Sequence, residues 1–283
     1  MMEALLTFGP ANLVALVAIA VIGLPHGAFD GAIAIHLGFT RRLVGFVTFV
    51  LAYSALAALV VWVWLHIPAI SLLLFLVYSM VHFGLGDARA RHGVLRWAQA
   101  VAHGGVVVAG ISFLHKAETD RIFAFLVGPD TTLVWMGLQA LAGLVGAAIF
   151  YIMIRQFHGR VTGAIPTGLG GLGEMALLAI LFAVTPPLVG FALYFCCVHS
   201  ARHMRHIWQD LRKNLPVRRL QLQAALFTVA SWVVGAVALG ISRQVMALEE
   251  AVLQVVFIGL AALTVPHMLL VDGLFRQQTG NQS

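Results

Sequence analysis

The sequence predicts an all-α fold, a polytopic helical membrane protein. Apolar residues form 61% of the 283-residue chain and charged residues only 10%, whereas about 25% of the residues in a soluble domain are charged. The mean hydropathy is +0.96. Long apolar runs alternate with short polar segments, and most runs reach the roughly 20 residues that a helix needs to cross a bilayer. We therefore expect one integral-membrane helical domain over residues 1–283.

The apolar runs predict about nine transmembrane spans. The first run follows an acidic residue instead of the basic segment of a secretory signal peptide, so we expect it to be a retained span. Residues 185–187, Thr-Pro-Pro, either form a turn between spans six and seven or kink one longer helix, which would reduce the number to eight. Segment 122–127 is too short to cross and is expected at the interface. The predicted spans are residues 11–37, 43–66, 69–88, 94–114, 131–154, 172–185, 187–208, 220–242 and 250–273.

The distribution of basic residues predicts the orientation of these spans. With nine spans, alternate loops and the C-terminal tail hold most of the 17 lysines and arginines. Because cytoplasmic loops are enriched in Lys and Arg, the N-terminus is expected outside and the C-terminus in the cytoplasm. Merging spans six and seven would divide the basic loops between the two sides, which favours nine. The net charge of +6 is then explained by loops, and no nucleic-acid partner is expected.

Six histidines are predicted to lie at one depth, in the cytoplasmic half of the membrane. Ionisable groups inside spans are costly and usually face the interior of the bundle. A single buried histidine is commonly a hydrogen-bonded core residue, but six at one depth on five helices favour a shared site. These residues are His26, His82, His103, His199, His203 and His267.

The spacing of two of these histidines is typical of a metal site. His199 and His203 are four residues apart, so they share one helix face, as in helices that give two imidazoles to one metal. Cys196 lies three residues before His199 and either joins them or is a small apolar core residue. A set of about four neutral imidazoles suits Fe, Zn or Cu better than Mg or Ca.

Three aspartates follow histidines by four or five residues. A ligating imidazole usually donates its other N–H to a carboxylate or a carbonyl. These aspartates either accept such bonds or pair with arginines at helix ends. Pro25 and Pro266 each precede a histidine, and each frees a carbonyl one turn back as an alternative partner. The three aspartates are Asp30, Asp87 and Asp272.

The residues alone leave several membrane metalloproteins open. A b-type haem protein needs only two axial histidines, and a metal or proton transporter would distribute polar groups through the full membrane depth. A desaturase-like lipid enzyme uses denser histidine motifs for two irons. A retinal-binding protein, which needs no metal, requires a lysine within the membrane. The two lysines of the sequence, Lys116 and Lys213, both lie in loops, which argues against this class.

Four motifs together resemble the Brp/Blh family of bacterial and archaeal membrane β-carotene 15,15′-dioxygenases. The similarity is distributed in order over nearly the whole chain. The motifs are P-H-G-A-F-D (25–30), H-F-G-L-G-D (82–87), H-S-A-R-H (199–203) and P-H-M-L-L-V-D (266–272). The resemblance implies that the chain cleaves β-carotene at its central double bond with O₂ to give two all-trans-retinal molecules.

The resemblance also implies a cofactor and its ligands. It predicts Fe(II) bound by His26, His82, His199 and His203. His267, His103 and the three aspartates are candidates for supporting positions around these ligands. The implied location is the inner membrane of a prokaryote, where an apolar substrate dissolved in the bilayer reaches the site. Retinal would often supply a microbial rhodopsin. The oligomeric state is not predicted.

Overall fold

The chain folds into a succession of helices in a computed structural model that describes residues 9–23, 27–39, 42–90, 92–161 and 170–271. Every regular element within these ranges is helical. The helices are α1 Pro10–Gly23, α2 Asp30–His36, α3 Leu43–His66, α4 Pro68–Asp87, α5 Gly93–Leu114, α6 Lys116–Val127, α7 Thr132–Val161, α8 Gly170–Val184, α9 over 187–211, α10 Val217–Ser242 and α11 Leu248–Val271.

Six of the described helices are long and apolar enough to cross a membrane. They are α3, α4, α5, α7, α10 and α11, and α1 is a shorter apolar helix. The most apolar windows of α3 and α10 bury none of their residues inside the protein. Exposed apolar helices of this length are stable in lipid, because their backbone groups are bonded within the helix. The chain is therefore an all-helical membrane protein, and the predicted second span, 43–66, matches α3 residue for residue.

Prolines mark three helix starts. Pro10, Pro68 and Pro187 each stand at the beginning of a helix, where the missing N–H would have had no partner and the fixed φ angle suits the first turn. Pro187 follows the end of α8 at Val184. The sixth and seventh apolar runs are therefore separate helices, and whether each crosses the membrane stays a prediction.

The first predicted span is not one continuous helix. α1 ends at Gly23, residues 27–29 form turns, and α2 begins at Asp30. The sequence contains Pro25, which cannot donate a backbone hydrogen bond; it lies with residues 24–26 outside the described part of the chain. Asp30 consequently stands in the first turn of a helix, where an acidic side chain interacts favourably with the unpaired N–H groups.

Contacts divide the chain into two compact units. Unit 1 comprises residues 1–67 and 195–283, and unit 2 comprises residues 68–194. The prediction of a single domain over the full chain stays a prediction. In unit 1, α3 packs along α11, and α10 packs against α2 and α11. Its apolar core includes Ile33, Leu211, Leu220 and Val271.

Unit 2 is organised around α4 and α5, which pack closely along each other. Two glycines permit this approach. A Cβ atom on Gly84 would overlap the carbonyl oxygen of Ala100, and one on Gly104 would overlap the carbonyl oxygen of Met80. Since these neighbours are backbone atoms, a larger residue at either position would push the helices apart. This close contact holds the buried side chains of α4 and α5 in a fixed arrangement.

Candidate metal centre

The centre of unit 1 contains a fully buried carboxylate with two partners. The side chain of Asp30 has no solvent exposure. Its Oδ1 accepts a hydrogen bond from Nδ1 of His267 at 2.7 Å, and its Oδ2 accepts one from the hydroxyl of Tyr53 at 2.7 Å. We call Tyr53, Asp30 and His267 the Asp30 triplet. Bonds of this length to a carboxylate are typical of strong, charge-assisted hydrogen bonds.

The other nitrogen of His267 faces a second imidazole. Nε2 of His267 lies 3.2 Å from Nε2 of His203, and both side chains are buried. Because Nδ1 of His267 donates to Asp30, the neutral ring carries its lone pair on Nε2. A carboxylate that orients an imidazole in this way is the usual support of a metal-binding histidine.

The distance between the two Nε2 atoms fits two ligands of one metal ion. Nitrogen ligands at about 2.0–2.1 Å from a metal, separated by angles between octahedral and tetrahedral, lie roughly 2.9–3.4 Å from each other. The observed 3.2 Å falls within this range. Without a metal it is a hydrogen-bond distance, and both Nε2 atoms are free to bind a metal when His203 carries its proton on Nδ1. By contrast, the two axial ligands of a haem lie about 4 Å apart with the iron between them. The pair therefore fits a non-haem metal.

His199 extends this cluster along α9. Its ring stacks on that of His203, with the ring centroids 5.8 Å apart and the planes 12° from parallel. The ring of Phe195 stacks on that of His199, with the ring centroids 6.1 Å apart and the planes 13° from parallel. His199 is buried, as is His203. The three buried rings form a row along α9 that ends at His203.

Segments of π-helix lie next to the candidate residues. The π segment Leu193–Ser200 contains His199 and ends three residues before His203, and residues 269–271, which begin two residues after His267, are also π-helical. Further π segments are Ile19–Gly23 and Val106–Gly110. Such segments insert an extra residue into a helix and occur often at functional sites. The sequence analysis did not predict them.

Unit 2 contains a second triplet of the same residue types. The hydroxyl of Tyr194 donates to Oδ2 of Asp87 at 3.0 Å, and Nδ1 of His103 lies 3.4 Å from the same oxygen. We call these three residues the Asp87 triplet. Nε2 of His103 lies 3.8 Å from Oε1 of Glu174, whose carboxylate also pairs with Arg89 at 3.4 Å. This cluster combines two carboxylates with an imidazole and a guanidinium, so it is an ion network.

The predicted residues are thus distributed over two clusters. The structure brings Asp30, His203 and His267 into contact, with His199 beside them, and it separately brings Asp87 to His103. His82 is buried in α4, with its ring centroid 6.1 Å from that of Phe83. His26 and Asp272 lie outside the described residues, so the expectations for them stay predictions.

Two hydroxyl groups of the triplets were not expected at these sites. Tyr53 lies in the middle of an apolar helix and carries no spacing signal, and Tyr194 is one of several aromatic residues in the apolar run before His199. The only available hint was the chemistry of tyrosine, whose hydroxyl normally finds a partner when it is buried. The expected freed carbonyl near Pro266 is not used by His267, since its ring N–H donates to Asp30.

The fold and this centre define a class of protein: a polytopic membrane protein with a buried, carboxylate-oriented imidazole pair that could hold a metal ion. A family model described as Beta-carotene 15,15′-dioxygenase matches residues 17–275. The chain therefore belongs to the β-carotene 15,15′-dioxygenase family and is an enzyme of the oxygenase type, which confirms the resemblance of the four motifs.

Two curated proteins support this assignment. The chain is 35% identical over 266 residues to a Beta-carotene 15,15′-dioxygenase from uncultured marine bacterium 66A03, with 93% of each chain covered. It is 25% identical over 302 residues to the Probable beta-carotene 15,15′-dioxygenase Blh of Halobacterium salinarum, which covers 93% of this chain and 84% of that protein. No solved structure was found to be significantly similar.

Proposed function

We propose that the chain cleaves β-carotene at its 15,15′ double bond with O₂, giving two all-trans-retinal molecules, at an Fe(II) centre that includes His203 and His267. The observation that carries this proposal is the 3.2 Å separation of their Nε2 atoms beside a carboxylate that fixes the proton of His267. Iron bound by nitrogen ligands with an open position supplies the capacity to bind and activate O₂.

The protein residues supply orientation and a dry environment. Asp30 holds the His267 ring through Nδ1, so that Nε2 keeps one direction. The rings of Phe195, His199 and His203 form a buried row, which suits a substrate without any polar group. Positioning alone can lower a reaction barrier by several kcal/mol. A rigid and apolar surrounding that holds the substrate against the metal would therefore contribute to the rate of cleavage.

His267 is a new member of the proposed ligand set. The sequence motifs suggest His26, His82, His199 and His203 as ligands and leave His267 in a supporting position. Its bond to Asp30 and its distance from His203 favour a direct metal–nitrogen bond instead. We retain His26, His82 and His199 as proposed ligands on the sequence motifs alone, and Asp30 as the residue that orients a ligand. Any supporting role of Asp87, His103 or Asp272 stays a prediction.

We propose nine spans with the N-terminus outside and the C-terminus in the cytoplasm. The six long apolar helices, the shorter apolar helices α1 and α8, and α9 would together give nine crossings. The basic loops support this orientation. We place the protein in the cell membrane of a prokaryote, where β-carotene enters from the lipid, O₂ is the second substrate, and a microbial rhodopsin is a consumer of the product.

The test is expression of the full chain in a carotene-producing bacterial host. We expect loss of the yellow colour and formation of two retinal molecules per β-carotene, with about one iron in the purified protein. Activity should be lost with a ferrous chelator and restored with Fe(II) but not with Zn(II).

The control for the site uses two histidines on one helix. His203→Ala should abolish retinal formation and iron uptake. His206→Ala, one turn away at an exposed position of α9, should retain both. Full activity of a zinc-only preparation, or equal activity of the two variants, would contradict the iron site.

A further inference from the structure

Tyr53 contacts the Asp30 carboxylate at the oxygen that His267 does not use. Its hydroxyl lies 2.7 Å from Oδ2 of Asp30 and 3.5 Å from the carbonyl oxygen of Leu263. A hydroxyl has one proton to donate, and the shorter distance to a carboxylate shows where that proton goes. Each oxygen of Asp30 therefore has its own donor, one from the metal-site imidazole and one from Tyr53.

The ring of Tyr53 is held in place by aromatic neighbours. Its centroid lies 5.8 Å from that of Phe49, and Phe227 makes an edge contact at 6.5 Å and 83°. The Phe227 ring also packs against the backbone at Gly31, where an added Cβ would lie 2.9 Å from its Cδ2 atom. The residue next to Asp30 and the ring next to Tyr53 thus share one packed surface, so the hydroxyl is a fixed donor.

We propose that Tyr53 is a positioning residue of the metal centre: its hydroxyl holds Oδ2 of Asp30 so that Oδ1 stays directed at Nδ1 of His267. This inference rests on the proposed function, since the direction of His267 matters for a metal on its Nε2. A buried carboxylate with a donor on only one oxygen can rotate about its Cβ–Cγ bond and exchange its two oxygens. With both oxygens bonded, it keeps one orientation and so does the imidazole.

The first test measures the His267 proton without any metal. In ¹⁵N-histidine-labelled full-length protein treated with chelator, the buried Nδ1–H of His267 should give a slowly exchanging resonance, identified by its absence in His267→Gln. In Tyr53→Phe, which removes only the hydroxyl oxygen, this resonance should shift and exchange faster with water. An unchanged resonance would overturn the proposal.

The second test uses Co(II) as a spectroscopic probe of the site. Tyr53→Phe should weaken Co(II) binding by about 10-fold, the lower end of the roughly 10–100-fold effect of groups that orient ligands, and should change the absorption bands of the bound ion. If Tyr53 acts through Asp30, the double variant Tyr53→Phe/Asp30→Asn should bind Co(II) as Asp30→Asn alone does, because residues in one network are not additive. Additive losses would show an effect that does not pass through Asp30, and would also overturn the proposal.

The control removes a hydroxyl from another carboxylate. Oγ1 of Thr131 donates to Asp120 at 2.6 Å, and Thr131→Val deletes this donor with little change in shape. It should leave both the Co(II) affinity and the His267 resonance unchanged. Absence of Co(II) binding in the wild-type protein, together with a resonance that responds to Tyr53→Phe, would refute the iron site and support the role of Tyr53. Equal Co(II) binding by the wild-type protein and Tyr53→Phe, together with an identical His267 resonance, would support the metal site and refute the role of Tyr53.

Discussion

Each compact unit contains a tyrosine, an aspartate and a histidine in contact, yet the two groups differ in what faces the second nitrogen of the histidine. In the Asp30 triplet this nitrogen lies 3.2 Å from the imidazole of His203. In the Asp87 triplet it lies 3.8 Å from the carboxylate of Glu174. A second imidazole offers another neutral nitrogen ligand. The Glu174 carboxylate could also bind a metal, but it is already paired with Arg89 at 3.4 Å, so the fourth residue favours a metal site in unit 1 and an ion network in unit 2.

The geometry of the two triplets supports the same distinction. Both bonds to Asp30 measure 2.7 Å, whereas the contacts to Asp87 measure 3.0 and 3.4 Å. The network around Asp87 continues to Arg89, whose side chain is 58% exposed. Charges that extend to the surface are partly stabilised by solvent, so they need less exact pairing. The Asp30 carboxylate has no solvent exposure, so it depends on its hydrogen bonds inside the protein.

The largest expected difference concerns the histidines of the two triplets. His267→Ala should reduce metal affinity by more than about 100-fold, because removal of a ligand exceeds the roughly 10–100-fold effect of removing its support, and retinal formation should cease. His103→Ala should keep the metal and lower thermal stability. Iron analysis and product assays of both variants measure this; loss of metal in His103→Ala would instead place His103 around the iron, as the sequence pattern predicts.

A smaller difference is expected for the two aspartates. Asp30→Asn should retain most of the iron at saturating Fe(II) but lose activity by roughly 10- to 100-fold, because the ligand is no longer held in one direction. Asp87→Asn should bind iron normally and unfold at a lower temperature, since His103 and Tyr194 then face a neutral amide instead of a charged carboxylate. Full activity of Asp30→Asn would show that this carboxylate has only a structural role.

Replacement of either tyrosine by phenylalanine should lower the stability by a similar amount, but only one of the two replacements should affect the metal site. Removal of a buried hydroxyl that donates to a carboxylate destabilises a protein by roughly 1–3 kcal/mol, so Tyr53→Phe and Tyr194→Phe should both lower the unfolding temperature in detergent. Only Tyr53→Phe should alter Co(II) binding. Parallel thermal scans and Co(II) titrations would separate the effects, and equal Co(II) curves would remove the functional distinction between the triplets.

The smallest expected effect concerns a carboxylate without an imidazole. Hydrogen bonds from Thr131 and then Trp135 lower the pKa of Asp120 from its usual value of 3.8. A lowered pKa in the folded state contributes stability above pH 3.8, and this contribution is lost as the pH falls through the folded pKa. Asp120→Asn should therefore reduce stability slightly at neutral pH and flatten its decrease below about pH 4. An unchanged acid profile in thermal scans would show that these bonds are not relevant to folding.

The sequence was sufficient for the class of fold, and the roles of the site residues stay predictions. Apolar runs predicted α3 to the residue, and the common depth of the histidines selected His203 and His267. The partners were harder to predict. Asp87 follows His82 by five residues, which on an α-helix places it about 140° around the axis, and in the structure it contacts His103 from the neighbouring helix. Asp30 follows His26 by four, but a new helix begins at Asp30, so helical spacing does not apply.

The contacts that matter most join residues far apart in the chain. Asp30 and His267 are separated by 237 residues, and Tyr53 and Asp30 by 23. Such pairs depend on how α2, α3 and α11 pack, and one sequence contains no direct signal of that packing. Tyr53 in particular has no periodic pattern around it. The glycines at 84 and 104 are also ambiguous in sequence, since only the adjacent backbone of the other helix makes them necessary.

The π-helical segment Leu193–Ser200 makes the length of α9 as important as its composition. A π segment accommodates an additional residue within an otherwise α-helical chain. Deletion of one residue there would leave an equally apolar helix of ordinary pitch. Everything on one side of the deletion would then turn by about 100° relative to the other side. His203 could not keep its direction toward His267 while the residues before the segment keep their packing. A change that is invisible to hydropathy would thus separate the two imidazoles.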